Sequence, residues 1–118
     1  MTGKNPELEE PFRRISVEEA KRMIDGGGLQ VVDVREPKER VEGYIAGSVL
    51  IPVDSVFARR AELSTEQEII FVCAAGVRSA LACEMAASMG RTRLYNLEGG
   101  MEAWGKRGYP VSRDGAIA

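Results

Sequence analysis

The run Ile69-Ile70-Phe71-Val72 constrains this chain more than any other stretch. A strand with no polar side cannot face water, so both faces of its sheet must be covered, as they are in parallel α/β proteins. The rest of the sequence supplies the covers. Phe12–Ile15, Gln30–Val34, Val49–Ile51 and Arg93–Leu97 read as further strands around Glu68–Val72. Helical segments alternate with them. Ser16 and Glu19 have the spacing of a capping box ahead of Val17, Ala20, Met23 and Ile24 on one face, and Gly26 supplies the stop. Pro37 opens a short charged turn of helix. Val53–Leu63 has helical spacing at Val53, Val56, Phe57 and Leu63. Ser79–Met89 carries a stripe of Leu81, Ala82, Met85, Ala86 and Met89 before Gly90, and Gly99–Arg107 is the last helix. This order predicts an α/β fold: one open parallel sheet with helices on both faces.

A chain of 118 residues is long enough for one domain and short for two. The expected division is a flexible arm over residues 1–11, a domain over 12–112 and a tail over 113–118. With 44% hydrophobic and 29% charged residues the composition is that of a globular protein. A net charge of −2, with basic residues only in scattered pairs such as Arg13-Arg14 and Arg59-Arg60, argues against nucleic acid as a partner. No apolar run reaches the roughly 20 residues of a membrane span, and Met1–Glu10 has no signal-peptide core, so no membrane and a cytoplasmic location are expected. There is no histidine, and Cys73 and Cys83 match neither a CxxC pair nor a zinc site. No metal is expected, and Cys–His and Ser–His catalysis are excluded within this chain.

Chemistry concentrates in "VCAAGVRSA", residues 72–80. Cys73 ends a strand, and Ser79 reads as the N-cap of the next helix. Small residues and one glycine between them, Ala74, Ala75, Gly76 and Val77, let the backbone curl so that successive N–H groups turn toward the sulfur. The helix N-terminus adds its positive end. A thiol so placed can titrate at roughly 3.5–7.5 in place of about 8.5, without a histidine. The same N–H groups suit an anionic ligand, and Arg78 either adds charge or braces the loop. Asp33 and Arg35 end the neighbouring strand, where ligands of open α/β sheets bind, and are assigned to support of the site.

Four stretches together resemble the rhodanese-like sulfurtransferases: "VVDVREPKE" at 31–39, "EGYIAGSVLIP" at 42–52, "VCAAGVRSA" at 72–80 and "NLEGGMEAW" at 96–104. The resemblance runs from Ile15 to Val111. It implies a five-stranded parallel sheet, an active-site loop from Cys73 to Arg78 that binds substrate with Ser79, and a persulfide carried on Cys73. It also implies Asp33 and Arg35 as the second wall or support of the site. The implied activity is that of a single-domain thiosulfate sulfurtransferase, a rhodanese. A sulfane sulfur passes from a small anionic donor such as thiosulfate to cyanide or a thiol, or to an acceptor protein, with no cofactor. Two departures stand out. Tyr44 and Ala46 replace the histidine and proline common in the second stretch, at what read as structural positions. Ala74, Ala75 and Val77 leave the loop uncharged, where thiosulfate-using members often have a basic residue after the cysteine.

Other readings compete. 3-Mercaptopyruvate is an alternative donor that suits an uncharged loop. Cysteine phosphatases and arsenate reductases generally have a longer loop than the one between Cys73 and Arg78. A non-enzymatic sulfur-carrier or docking module is the remaining option, and modules that have lost catalysis usually lack the cysteine. Cys83 reads as packing, Trp104 as the residue that holds the last helix down, and Gly99-Gly100 as a turn. Glu36, Glu39 and Arg40 read as a solvated face with no role.

Overall fold

The computed structural model describes residues 9–114. Residues 1–8 and 115–118, which hold most of the expected arm and tail, lie outside the described residues. Strands β1 (Arg13–Ile15), β2 (Leu29–Asp33), β3 (Val49–Leu50), β4 (Glu68–Val72) and β5 (Leu94–Leu97) form one five-stranded sheet in the order β1-β5-β4-β2-β3. Every pairing is parallel. Helices α1 (Val17–Gly26), α2 (Pro37–Arg40), α3 (Val77–Ser88) and α4 (Gly100–Lys106) connect or follow them.

Strand alternation explains why the β4 run has no polar side. Ile69, Phe71 and Cys73 enter one core layer with Ala82, Cys83 and Ala86 of α3. Ile70 and Val72 enter the other, with Val17 and Ala20 of α1 and Trp104 of α4. All four residues of the run are at most 1% exposed, so a polar side chain at any of them would be buried without a partner. Trp104 donates from Nε1 to Pro110 O at 2.9 Å, which ties the segment after α4 back to that helix.

Two segments differ from expectation. Val53–Leu63 is not a helix but two short 3₁₀ turns, Val53–Ser55 and Arg60–Glu62. A 3₁₀ turn aligns residues three apart, so Val56 goes inward behind Val53 while Phe57 points out at 60% exposure, under the Arg60 guanidinium. Helix α3 begins at Val77, two residues early, because Gly76 caps it at φ +100°. Its inward face is therefore Ser79, Ala82, Cys83 and Ala86, and Leu81 is turned out at 51% exposure. Ser79 is not the N-cap.

The strand order positions the site. Connections from β2 run outward to β3, and those from β4 run the other way to β5, so the chain diverges between two neighbouring strands. A crevice opens at the carboxyl ends of such a pair. Asp33 and Val72 are register partners at those ends, which brings the residues after each strand to one place.

Candidate active site

Cys73 follows β4 directly and is 1% exposed. Its Sγ accepts from Gly76 N at 3.1 Å and Ser79 N at 3.3 Å, and Ser79 Oγ lies 3.3 Å away. Burial pushes the thiol up, but the hydrogen bonds of the Ser79 hydroxyl and of the Ser79, Gly76 and Ala75 N–H groups outweigh it, and the net shift is downward. The N–H groups converge because Gly76 adopts a left-handed turn there, which places the first turn of α3 against the sulfur. Of the remaining loop residues, Ala74 lines the adjoining cleft, while Val77 is 77% exposed. Cys83 is in the core layer beneath α3, and burial pushes its thiol up.

The loop is held from below by α4. Met101 N donates to Cys73 O at 2.8 Å and Glu102 N to Ala74 O at 3.0 Å. This approach requires Gly100: with φ +58°, a Cβ there would sit 2.4 Å from Cys73 O and 2.5 Å from Ala74 O. Read from sequence as a turn, Gly99-Gly100 does make the turn into α4, and Gly100 in addition seats the loop. Asn96 adds a bond from Nδ2 to Gly76 O at 3.1 Å.

Arg78 does not extend over the sulfur as a free cation. Its Nη1 and Nη2 donate to Glu39 Oε1 and Oε2 at 2.8 and 2.9 Å, and Glu39 Oε1 also accepts from Glu36 N. The bidentate hydrogen bonds from Arg78 hold the Glu39 carboxyl down at about 2 despite partial burial. The pair therefore ties α2 to α3 across the crevice. Glu39 is not part of an idle solvated face, and neither is Arg40.

Arg40 is 6% exposed, with Nη1 on Asp33 Oδ2 at 3.2 Å and on Ser48 Oγ at 3.0 Å, and its guanidinium 3.9 Å from the Tyr44 ring centre. Asp33 also receives Arg35 Nε at 2.9 Å and Nη2 at 2.8 Å. Arg35 continues to Gly43 O at 2.8 Å. One buried carboxylate thus organises two arginines and, through them, the loop of residues 43–48. Glu39 was missed because its partner Arg78 is 39 residues away, and Arg40 because it meets Asp33 and Ser48 only after the turn between them has folded. The one local signal was the Glu36–Glu39 spacing, which suits a capping box.

Between this network and the Cys73 loop lies a cleft of about 370 Å³, lined by Arg35, Glu39, Ala74 and Met101 among others. Among the described residues no group of three or more His, Cys, Asp or Glu is arranged to hold a metal ion, and no helix is long and apolar enough to cross a membrane.

The fold and site define a class: a parallel α/β domain whose crevice presents a cysteine inside a ring of hydrogen-bond donors. Residues 16–107 match the family model of the rhodanese-like domain, and the chain belongs to that family. It is 30% identical over 92 residues to a sulfurtransferase of Allochromatium vinosum, covering 78% of this chain and 86% of that one. It is 33% identical over 97 residues to the thiosulfate sulfurtransferase GlpE of Pseudomonas paraeruginosa, covering 82% and 87%. A rhodanese-related protein of Thermoplasma volcanium superposes with a TM-score of 0.80 at 33% identity, over 86% of this chain and 99% of that one.

Proposed function

We propose that this chain is a single-domain sulfurtransferase that takes a sulfane sulfur from thiosulfate or a related donor onto Cys73. The observation that carries this reading is the convergence of Gly76 N–H, Ser79 N–H and the Ser79 hydroxyl on one sulfur, with a thiol held below its ordinary range. In the first half-reaction the Cys73 thiolate attacks the outer sulfur of thiosulfate. A new S–S bond forms, the old one breaks, and sulfite leaves with the electron pair. In the second, cyanide or a thiolate attacks the outer sulfur of the persulfide, and Cys73 departs as a thiolate. The donors on Sγ favour Cys73 as a thiolate both when it attacks in the first half-reaction and when it departs in the second. Two nucleophilic steps on one sulfur predict ping-pong kinetics.

In this reading Ala74, Ala75, Gly76, Val77, Arg78 and Ser79 form the substrate loop, and Asp33 and Arg35 support the opposite wall. Work in the cytoplasm on small sulfur donors, with a thiol, cyanide or a protein as acceptor and no cofactor, accords with it. Neither terminal nitrogen of Arg78 is free of Glu39, which weighs against a phosphatase, where an arginine must clasp phosphate. The test is intact-mass analysis of the protein after thiosulfate and then after cyanide, with Cys73→Ser and Cys83→Ser beside it. The wild type and Cys83→Ser should gain one sulfur and lose it again, and Cys73→Ser should gain none. An adduct mapped to Cys83, or turnover in Cys73→Ser, refutes the mechanism. Initial rates with 3-mercaptopyruvate against thiosulfate settle the donor.

A further inference from the structure

Gly76 has to be a glycine, and it has to be held still. Its φ of +100° disfavours any residue with a Cβ, and a Cβ there would lie 3.2 Å from Gly99 N and 3.4 Å from Leu97 O. A residue without a Cβ also has the widest choice of backbone conformations, yet Gly76 N–H is one of the donors on Cys73 Sγ. Two peptide planes meet at its Cα. The one before it is held by the sulfur. The one after it carries the Gly76 carbonyl, which Asn96 Nδ2 reaches at 3.1 Å. Asn96 therefore fixes the side of the turn that the sulfur does not.

The surroundings of Asn96 leave its amide one orientation. The side chain is fully buried in β5, and Nδ2 also donates to Glu98 Oε2. Glu98 is held in turn by Arg14 Nη1 at 3.0 Å, and Arg14 by Glu10. With Gly76 O and Glu98 Oε2 on the same side, only the NH₂ end can face them, because the reversed amide would set three oxygens against one another. The other end bears the cost. Among the described residues the buried Asn96 Oδ1 has no hydrogen-bond partner. An acceptor left unpaired in the interior is destabilising, and a leucine of the same branching would avoid it. The position holds an amide for its donors rather than for packing.

We infer that Asn96 is a positioning residue for the reaction: by holding the Gly76 carbonyl it keeps the Gly76 N–H and the first turn of α3 aimed at the sulfur of Cys73, with Glu98 and Arg14 setting the orientation of its amide. The inference deepens the sulfurtransferase reading and rests on it for the use made of the thiolate. Asn96 does not line the cleft and acts through Gly76. A contact that only held the fold together would lower stability, and with it the rate at every pH alike. A contact that aims a donor at a thiolate shifts the titration of that thiolate.

The test uses the full chain carrying Asn96→Leu or Asn96→Ala, two uncharged replacements without donors that differ in how well they fill the site. Thiolate absorbance against pH gives the Cys73 midpoint. It should rise in both variants by about half to one unit, as expected for one weakened hydrogen bond to sulfur. Below the midpoints that is a loss of about threefold to tenfold in the rate of sulfur uptake from thiosulfate, and above them the variants should converge on the wild type. Urea unfolding should separate the two, with Asn96→Leu close to the wild type and Asn96→Ala below it, so that the midpoint follows the lost donor and not the stability. A wild-type midpoint in either folded variant, or a rate lowered equally at all pH, overturns the inference. A measurement on the wild type stands apart from the variants. The side-chain amide protons of Asn96 should give two separate NMR signals that move with the Cys73 titration, and signals unmoved through it overturn the inference as well. None of the titrations needs a sulfur donor. Failure of Cys73 to take up sulfur would instead refute the sulfurtransferase reading, and the midpoints of the variants would still decide the role of Asn96.

Discussion

Replacing Ser79 by alanine tests how the site makes a thiolate. Ser79 is fully buried, its Oγ lies 3.3 Å from Cys73 Sγ, and its N–H also reaches the sulfur. The substitution deletes the hydroxyl and keeps the backbone donor, with little change in shape in the first turn of α3. A hydrogen bond to a charged group is worth about 1.5–3 kcal/mol, and sulfur is a weak acceptor, so the lower end applies. At 1.36 kcal/mol per pKa unit, losing about 1.5 kcal/mol raises the Cys73 pKa by about one unit. The assay is thiolate absorbance in the near ultraviolet against pH. Burial pushes the Cys83 thiol up, so Cys83 stays protonated through the neutral range and the signal belongs to Cys73. The wild-type midpoint should lie below that of an ordinary thiol, with the variant about one unit higher and the pH–rate profile of the first half-reaction moving with it. The sign follows from linkage: a depressed folded-state pKa adds stability above the unfolded pKa that is lost as pH falls through the folded one, so the variant should be less stable on the alkaline side only. A midpoint unchanged by the substitution would refute the idea that side-chain donation offsets burial here, leaving the backbone N–H groups as the whole cause.

Gly100→Ala should destabilise by about 3–4 kcal/mol, from the left-handed backbone and two disrupted hydrogen bonds to Cys73 O and Ala74 O, read by urea unfolding. A loss below about 1 kcal/mol would mean that α4 does not seat the loop. Arg78→Ala and Glu39→Gln break one partly exposed ion pair, so each should cost about 1 kcal/mol and the double variant no more than either alone. Because Glu39 titrates at about 2 in the fold against an ordinary 4.5, its contribution is complete above the upper value and fades as pH falls through the lower one. Acid unfolding curves of wild type and Glu39→Gln should converge there; additive losses or a constant gap would contradict the pairing.

The parallel sheet and its order of elements were legible in the sequence because each rests on local rules. The two-sided apolar run of β4, the capping-box spacing at Ser16 and the glycine stops all act within a few residues. Cys73 was legible for the same reason, since a strand, small residues and a helix start are contiguous. The helical reading of Val53–Leu63 failed on a near-degenerate choice between periods of three and 3.6 residues, which packing of Val56 and Leu63 under the sheet decided. Ser79 was assigned the wrong duty because Gly76 begins the helix earlier than its side chains suggest.

What the sequence determined by itself was therefore the architecture and the place of Cys73 at the end of β4. Tertiary structure decided which charges are spent and which are free. Glu39 and Arg78 lie on different helices, Asp33 and Arg40 meet only once β2 and α2 have packed, and Arg113 reaches the cleft by a strap paired with Tyr44. Hydrophobic periodicity is written along the chain, because burial of a face depends on neighbours within a turn or two. Ion pairing is not, because its energy depends on distances in space, and residues such as Glu39 and Arg78 come within hydrogen-bonding reach only after the sheet has set the spacing between its crossovers.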